Sequence, residues 1–406
     1  MKVYMDNGAT TKVLPEAAKA IIPYMTEKYG NASSLHYMGI EAEEALDAAR
    51  KTVARGINAE PEEIIFTGCA TEANNLAIVG ACEALGEGAK GKKIITTKIE
   101  HSSVGNVFKR MAEKGFEVMF LDVDSEGFVS AGQVAKAIDD RTVLVSVIHA
   151  NHEIGTIQDI EAIGKVCRAR GVLFHTDACQ SFTKVPIDVK SQNVDLLTLN
   201  AHKIHGPKGA GALFVRRGIR LGKQIFGGPQ EENRRAGTEN VAGIVGFAKA
   251  AEVGVRGMKR EVPRMTRMRN MLMAKLLKIP NTRLNGPAGK NVGRRLCNNV
   301  NITFDFIEGE ALLMRLSVKG ICVSTGSACS SKSLQPSHVL KAIGLEHEQA
   351  HGSIRFSLSK FNSGKEVRYV VQQVRKEVEV LRKISAFRPG SEKKKYYEER
   401  AERLED

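Results

Sequence analysis

The segment Asn200-Ala201-His202-Lys203-Ile204-His205-Gly206-Pro207-Lys208-Gly209 holds the residues best placed to do chemistry. It follows the apolar run Val194–Leu199, which reads as a buried strand. Its Gly-Pro-Lys-Gly turn leads into a second apolar run, Ala210–Val215. A lysine at a strand end, before such a turn, sits where active sites of open α/β sheets form. Lysine is also the side chain that forms Schiff bases with carbonyl groups. A lone strand-end lysine is ordinarily a solvated charge, so Lys203 needs partners elsewhere in the chain.

Asp177 is one such partner, at the end of the apolar run from Gly171 to Thr176. A lysine and a carboxylate are what pyridoxal phosphate (PLP) requires. The amine traps the aldehyde, and the carboxylate keeps the ring nitrogen protonated, because an opposite charge nearby favours the charged form. Standing alone, Asp177 would read as a cap on the turn after a strand. Gln180 is spaced to hydrogen-bond a ring hydroxyl. A phosphate site is read at Gly68-Cys69-Ala70-Thr71-Glu72, where the expected strand 61–67 turns into a helix. Small residues there expose amide N–H groups at the positive end of a helix dipole, although Thr71 is also an ordinary N-cap type. His101, after the strand Lys93–Thr97, can stack on a cofactor ring or be a polar loop residue.

The chain resembles a group I (NifS/IscS-like) cysteine desulfurase, of the class V branch of fold-type I PLP-dependent enzymes. The resemblance covers nearly the whole chain, from Tyr4-Met5-Asp6-Asn7-Gly8-Ala9-Thr10-Thr11 to Gly352-Ser353-Ile354-Arg355-Phe356-Ser357. Between these lie stretches 29–36, 149–156, 227–231, 235–240 and Ser324-Thr325-Gly326-Ser327-Ala328-Cys329-Ser330. The resemblance implies that Lys203 carries PLP covalently, Asp177 pairs with the ring nitrogen and Gln180 with the ring hydroxyl. It implies that His101 stacks on the ring and serves as acid or base. Ala70, Thr71, His202 and Asn200 would bind the phosphate, with Thr238 reaching over from the second subunit of a homodimer. Asn151 would face cofactor and substrate, and Arg355 and Asn31 would hold the substrate carboxylate. Cys329 would accept the sulfur of L-cysteine as a persulfide and leave L-alanine. The sulfur would then pass to an iron–sulfur scaffold protein or a tRNA-thiolation acceptor. A selenocysteine lyase is the alternative within the same class. Some positions depart from the usual pattern: Asn200 for a Ser, Gly68-Cys69 for Ser-Gly, His152 for the second Asn of a pair, Gly8 for an Ala and Ala32 for a Pro.

These residues need a frame that brings distant segments together. Alternating strands and helices from about 62 to 215 argue for a mostly parallel sheet flanked by helices, an α/β fold. The resemblance sets it at seven strands in a large PLP-binding domain, residues 16–257. A smaller α+β domain would be formed by 1–15 and 258–406. It is expected to contain a strand at 299–304, a helix at 310–316, a strand at 352–358 and a helix at 365–381. Two separate helices are expected around the boundary, one starting at Val241 and one over 261–277, which Pro280 ends.

Composition agrees with a large enzyme. With 406 residues, 42% of them hydrophobic, the chain can bury more than one core. It shows no secretory apolar region and no bilayer-length apolar stretch, so no membrane association and a cytoplasmic location are expected. Its seven cysteines have no CxxC spacing, which argues against a zinc ribbon or a disulfide framework. Cys329 lies in a small, polar stretch that suits a reactive thiol. The net charge of +14 suggests transient contact with RNA or an acidic protein, or charge spread over solvated faces. A pure RNA-binding protein is disfavoured by 5% aromatic content without Trp. A metal hydrolase built on His149, His152 and Glu153 is disfavoured because those residues end an expected strand, and no bound metal is expected. The charged stretch 391–400 reads as a terminal extension.

Overall fold

The computed structural model describes residues 1–84, 92–325 and 336–385. In chain order its strands are β1 (Val3–Tyr4), β2 (Ile64–Thr67), β3 (Lys93–Thr97), β4 (Glu117–Leu121), β5 (Thr142–Ser146), β6 (Leu173–Asp177), β7 (Leu196–Asn200) and β8 (Gly211–Val215). They are followed by β9 (Thr282–Leu284), β10 (Asn299–Phe304), β11 (Ile321–Cys322), β12 (Ser324–Thr325) and β13 (Ser353–Ser357).

Strands β2 to β8 form one seven-stranded sheet in the order β2-β8-β7-β6-β5-β3-β4. The β4-β3-β5-β6-β7 run is parallel, and β8 is antiparallel to both β7 and β2. Strand β2 therefore points the same way as β7. Apart from the edge strand β4, the strand residues are buried almost throughout, as in a sheet covered on both faces. Alternation sorts them: Leu197 and Leu199 join the core on one face, and Leu196 joins the core on the other. The second face is covered by helices Ala70–Glu83 and Ser102–Glu113.

The smaller sheet runs β12-β13-β10-β9 and is antiparallel. Its core draws on Val300, Ile302, Phe304, Ile354 and Phe356, together with Val367, Val370, Val374 and Val378 of the helix Gly364–Ile384. The N-terminal segment is part of this unit. β1 pairs in parallel with β11, and Val3 and Met5 are buried in the same core. The Met5 carbonyl accepts from Ser357 N at 2.7 Å.

Two expectations need correction. Residues Pro61–Glu63 are a 3-10 turn, not strand; the strand starts at Ile64. Proline has no N–H for a sheet ladder, and Glu60 and Glu63 close a reciprocal capping box there. The two helices expected at 241 and 261–277 are one helix, Val241–Leu276, with Pro263 inside it. Its first half buries Ile244, Phe247 and Ala251 in the large core, and its second half buries Met268, Leu272 and Leu276 in the small one. Packing at both ends offsets the ~3 kcal/mol that an interior proline costs a helix.

Candidate active site

Parallel strands all end at one edge, and the loops leaving that edge meet. β2 leads to Cys69 and Ala70, β3 to His101, β5 to His149–Glu153, β6 ends at Asp177, and β7 leads to Asn200–Lys203. The small domain contributes Arg355 from β13, and the N-terminal segment contributes Gly8 and Ala9. Together they line a cleft of about 320 Å³ that contains Thr71, His101, Asp177, Gln180, His202, Lys203 and Arg355.

Lys203 Nζ donates to the Gly8 carbonyl at 2.6 Å and the Ala9 carbonyl at 2.7 Å. The amine is thus held by backbone from the far end of the chain. Asp177 is 5% exposed, with a donor on each oxygen: Asn74 Nδ2 on Oδ2 and Cys179 N on Oδ1, both at 2.9 Å. Gln180 Nε2 donates to the Gly8 carbonyl at 3.0 Å. His202 is tied to Thr10 Oγ1 at 3.1 Å, and Asn200 Oδ1 accepts from His202 N at 3.1 Å.

On the opposite wall, Arg355 is 4% exposed. It donates to Asp6 Oδ1 at 3.1 Å and to the His152 carbonyl at 3.0 Å, and its Nε has no partner among the described residues. Gly8 gives it room: a Cβ there would stand 3.2 Å from the guanidinium carbon. His101 caps the helix Ser102–Glu113, its Nδ1 accepting from Ser103 N at 3.1 Å. Its ring meets that of His152 edge-on, with centroids 5.2 Å apart.

Burial sets most of the electrostatics. It lowers the pKa of His101, with the Lys203 and His338 charges adding to the effect and Asp177 opposing it. Burial, then Lys203 and Lys208, lowers His202 to about 4. Burial raises Glu100, beside His101, to about 8 and Glu153 to about 7. The imidazoles of His101 and His202 are therefore neutral near pH 7.

Not every expected residue lies in this cleft. Asn151 is fully buried, and its amide is used internally: Nδ2 donates to the Ile99 carbonyl, and Oδ1 accepts from Glu153 N and Ile154 N. Those bonds shape the loop after β5. Asn31 and Thr238 are exposed and absent from the cleft lining within one chain. Cys329 and the stretch 391–400 fall outside the described residues. Sequence reasoning missed Asn74, which sits one turn into the helix Ala70–Glu83 and anchors Asp177. It also missed the role of the Gly8 and Ala9 carbonyls. An amide side chain at 0% exposure has no periodicity signal to reveal it. The N-cap of the Ala70–Glu83 helix is Cys69, not Thr71.

The site fits PLP. The helix Ala70–Glu83 opens without a side-chain cap, so its first amides are available to a phosphate. An amine, a fixed carboxylate and a buried guanidinium nitrogen without a partner among the described residues share one cleft. Fold and site together define a PLP-dependent enzyme of the fold-type I class. The chain belongs to the aminotransferase class-V family, whose model matches residues 3–370. A protein from Methanosarcina thermophila named cysteine desulfurase IscS is 48% identical over 387 residues, covering 95% of this chain and 94% of its own. A solved structure described as a NifS-like protein superposes with a TM-score of 0.88 at 37% identity, over 94% of this chain and all of the other. Another, described as SspA in complex with cysteine, has a TM-score of 0.77 and 36% identity over 89% of this chain and all of that one.

Proposed function

We propose that this chain is a PLP-dependent cysteine desulfurase that converts L-cysteine to L-alanine and keeps the sulfur as a persulfide on Cys329. The observation that carries this reading is the meeting of Lys203, Asp177, an uncapped helix start and Arg355 in one cleft. Bound there, PLP supplies a reactive aldehyde and an electron-withdrawing ring.

The chain's own groups do the rest. The Ala70 and Thr71 amides, with Asn200 and His202, hold the phosphate. Asp177, locked by Asn74, would pair with the ring nitrogen, and Gln180 would bond the ring hydroxyl. Arg355 binds the substrate carboxylate in a charge-assisted pair, using the nitrogen that has no protein partner among the described residues. Lys203 holds the cofactor and then takes the substrate's α-proton at Nζ. His101, buried and neutral, would stack on the ring and would give or take a proton within the cleft. The Cys329 thiolate takes the sulfur and passes it to an iron–sulfur scaffold protein or a tRNA-thiolation acceptor.

The same reading makes the protein a homodimer. Leu35, Phe226 and Tyr37 are 96%, 81% and 79% exposed, apolar surface that a second subunit would cover. Asn31 and Thr238 lie near them in sequence and would complete the partner's site. We also propose the division into 16–257 and 1–15 with 258–406, supported by two separate cores whose boundary falls within the helix Val241–Leu276. A cytoplasmic place and a transient RNA or acidic-protein contact complete the proposal. Among the described residues no helix is long and apolar enough to cross a membrane.

The test is reduction of the PLP-loaded protein with borohydride and mapping of the label. The expected label is on Lys203 alone. A label on another lysine, or a colourless protein unaffected by added PLP, would overturn the assignment.

A further inference from the structure

The cleft holds two imidazoles, and their hydrogen bonds give them opposite characters. His101 Nδ1 accepts from Ser103 N, so the proton of its neutral ring belongs on Nε2, and the ring is a donor. His152 is arranged the other way. Its Nε2 lies 3.6 Å from Glu153 Oε1, too long for a hydrogen bond but an ion-pair distance at which the ionised carboxylate favours the proton on that nitrogen. Its Nδ1 is buried and has no hydrogen-bond partner among the described residues. That leaves Nδ1 as a bare acceptor on a ring that lines the cleft. The groups facing this ring are His101 from the helix Ser102–Glu113, Lys203 from the turn after β7, Arg355 from β13 and His338 from the helix His338–Ala342. Each disfavours a second proton on His152, and burial does so most. Glu153 is in turn tied to Ser337 Oγ at 2.6 Å. Ser337 follows shortly after the stretch that contains Cys329.

An unsatisfied buried acceptor is costly until a ligand supplies a donor. The substrate carboxylate cannot, since it only accepts. The substrate amine is committed to the cofactor. The remaining donor of L-cysteine is its thiol.

We propose that His152 is a specificity-determining residue that recognises the substrate thiol, with Nδ1 accepting the S–H proton in a hydrogen bond. This rests on the desulfurase reading. It assigns a task to a position where the resembled family usually has asparagine. It also separates the two imidazoles: His101 donates into the cleft, and His152 accepts from it.

The test compares binding of L-cysteine and L-alanine, which differ only by the thiol. Both are titrated into PLP-loaded Cys329→Ala protein, so that turnover does not interfere, with the visible spectrum as readout. The same titrations are run with His152→Phe added, which keeps a ring against His101 but removes the acceptor. His152→Asn serves as a second variant should the phenylalanine fail to fold. The expected result is L-cysteine binding weakened about fivefold by His152→Phe, with L-alanine binding changed by less than about twofold. Equal weakening of both amino acids would mean a packing role and overturn the proposal, as would no change in either. If neither amino acid perturbs the spectrum of the Cys329→Ala protein, the desulfurase reading itself fails, and this inference fails with it.

Discussion

On the Asp177 wall of the cleft, the key group is already satisfied: each carboxylate oxygen has a protein donor, and Lys203 rests on two backbone carbonyls. On the Arg355 wall, two buried nitrogens are left without partners among the described residues, Arg355 Nε and His152 Nδ1. The first wall comes from the ends of strands in one rigid sheet. The second comes from β13, the N-terminal segment and the loop after β5. A group that stays bound through every turnover suits a wall fixed in advance. A substrate that comes and goes suits a wall that withholds part of its hydrogen bonding until the ligand arrives. Variants on the two walls should therefore fail at different stages.

The largest effects belong to the first wall and to the sulfur acceptor. Lys203→Ala should lose the borohydride-fixed label and essentially all alanine production, read by mass mapping and by product assay. Cys329→Ala should keep its colour and respond to L-cysteine, yet release neither alanine nor sulfide. Normal alanine release by that variant would favour a selenocysteine lyase instead. Arg355→Ala on the second wall should keep PLP but bind substrate about 10- to 150-fold more weakly, as loss of a charge-assisted partner worth about 1.5–3 kcal/mol implies. Loss of colour in that variant would erase the distinction between the walls. Thr238→Ala should loosen PLP by about two- to tenfold, one hydrogen bond's worth, and do so only if the partner subunit supplies it. Equilibrium dialysis together with sedimentation would separate cofactor loss from dimer loss.

The smallest effect concerns stability against pH. Glu100 lies behind the cleft, with Oε1 accepting from Thr97 Oγ1 and Ile148 N and with Oε2 unpartnered among the described residues. Burial raises its pKa from 4.5 to about 8. Between those values the folded state holds a proton that the unfolded state has lost. The Glu100 contribution is therefore fully present below pH 4.5 and falls away as pH rises through about 8. Glu100→Gln cannot ionise and should escape this loss. Its stability advantage over the parent should grow from about pH 5 to 8.5, reaching on the order of a few kcal/mol. Denaturant melts across that range check it, and parallel curves would contradict it.

Much of the first wall is legible in the amino-acid sequence. Lys203 and Asp177 sit at the ends of apolar runs, and strand ends in a parallel sheet converge. The order of strands and helices in the small domain is legible for the same reason, because β10, β13 and the helix Gly364–Ile384 each carry a clear apolar pattern. The second wall and its contacts with the first are harder to read. The contact of Lys203 with Gly8 and Ala9 spans almost 200 residues, and no local period encodes it. The edge-on pair of His101 and His152 joins two loops on different strands. Asn151 reads as a cofactor contact, and its bonds to its own loop have no signal in the sequence. Pro263 hides the single helix Val241–Leu276, since propensity does not report that both ends are anchored in separate cores.

The central claim is that sulfur leaves L-cysteine for Cys329 in a site whose cofactor wall is fixed beforehand. A single turnover of the PLP-loaded protein with L-cysteine, without a sulfur acceptor, tests it most directly. Peptide mass analysis should find one added sulfur atom on the peptide containing Cys329, with alanine released in equal amount. Alanine formed in full with no sulfur on that peptide would contradict the account.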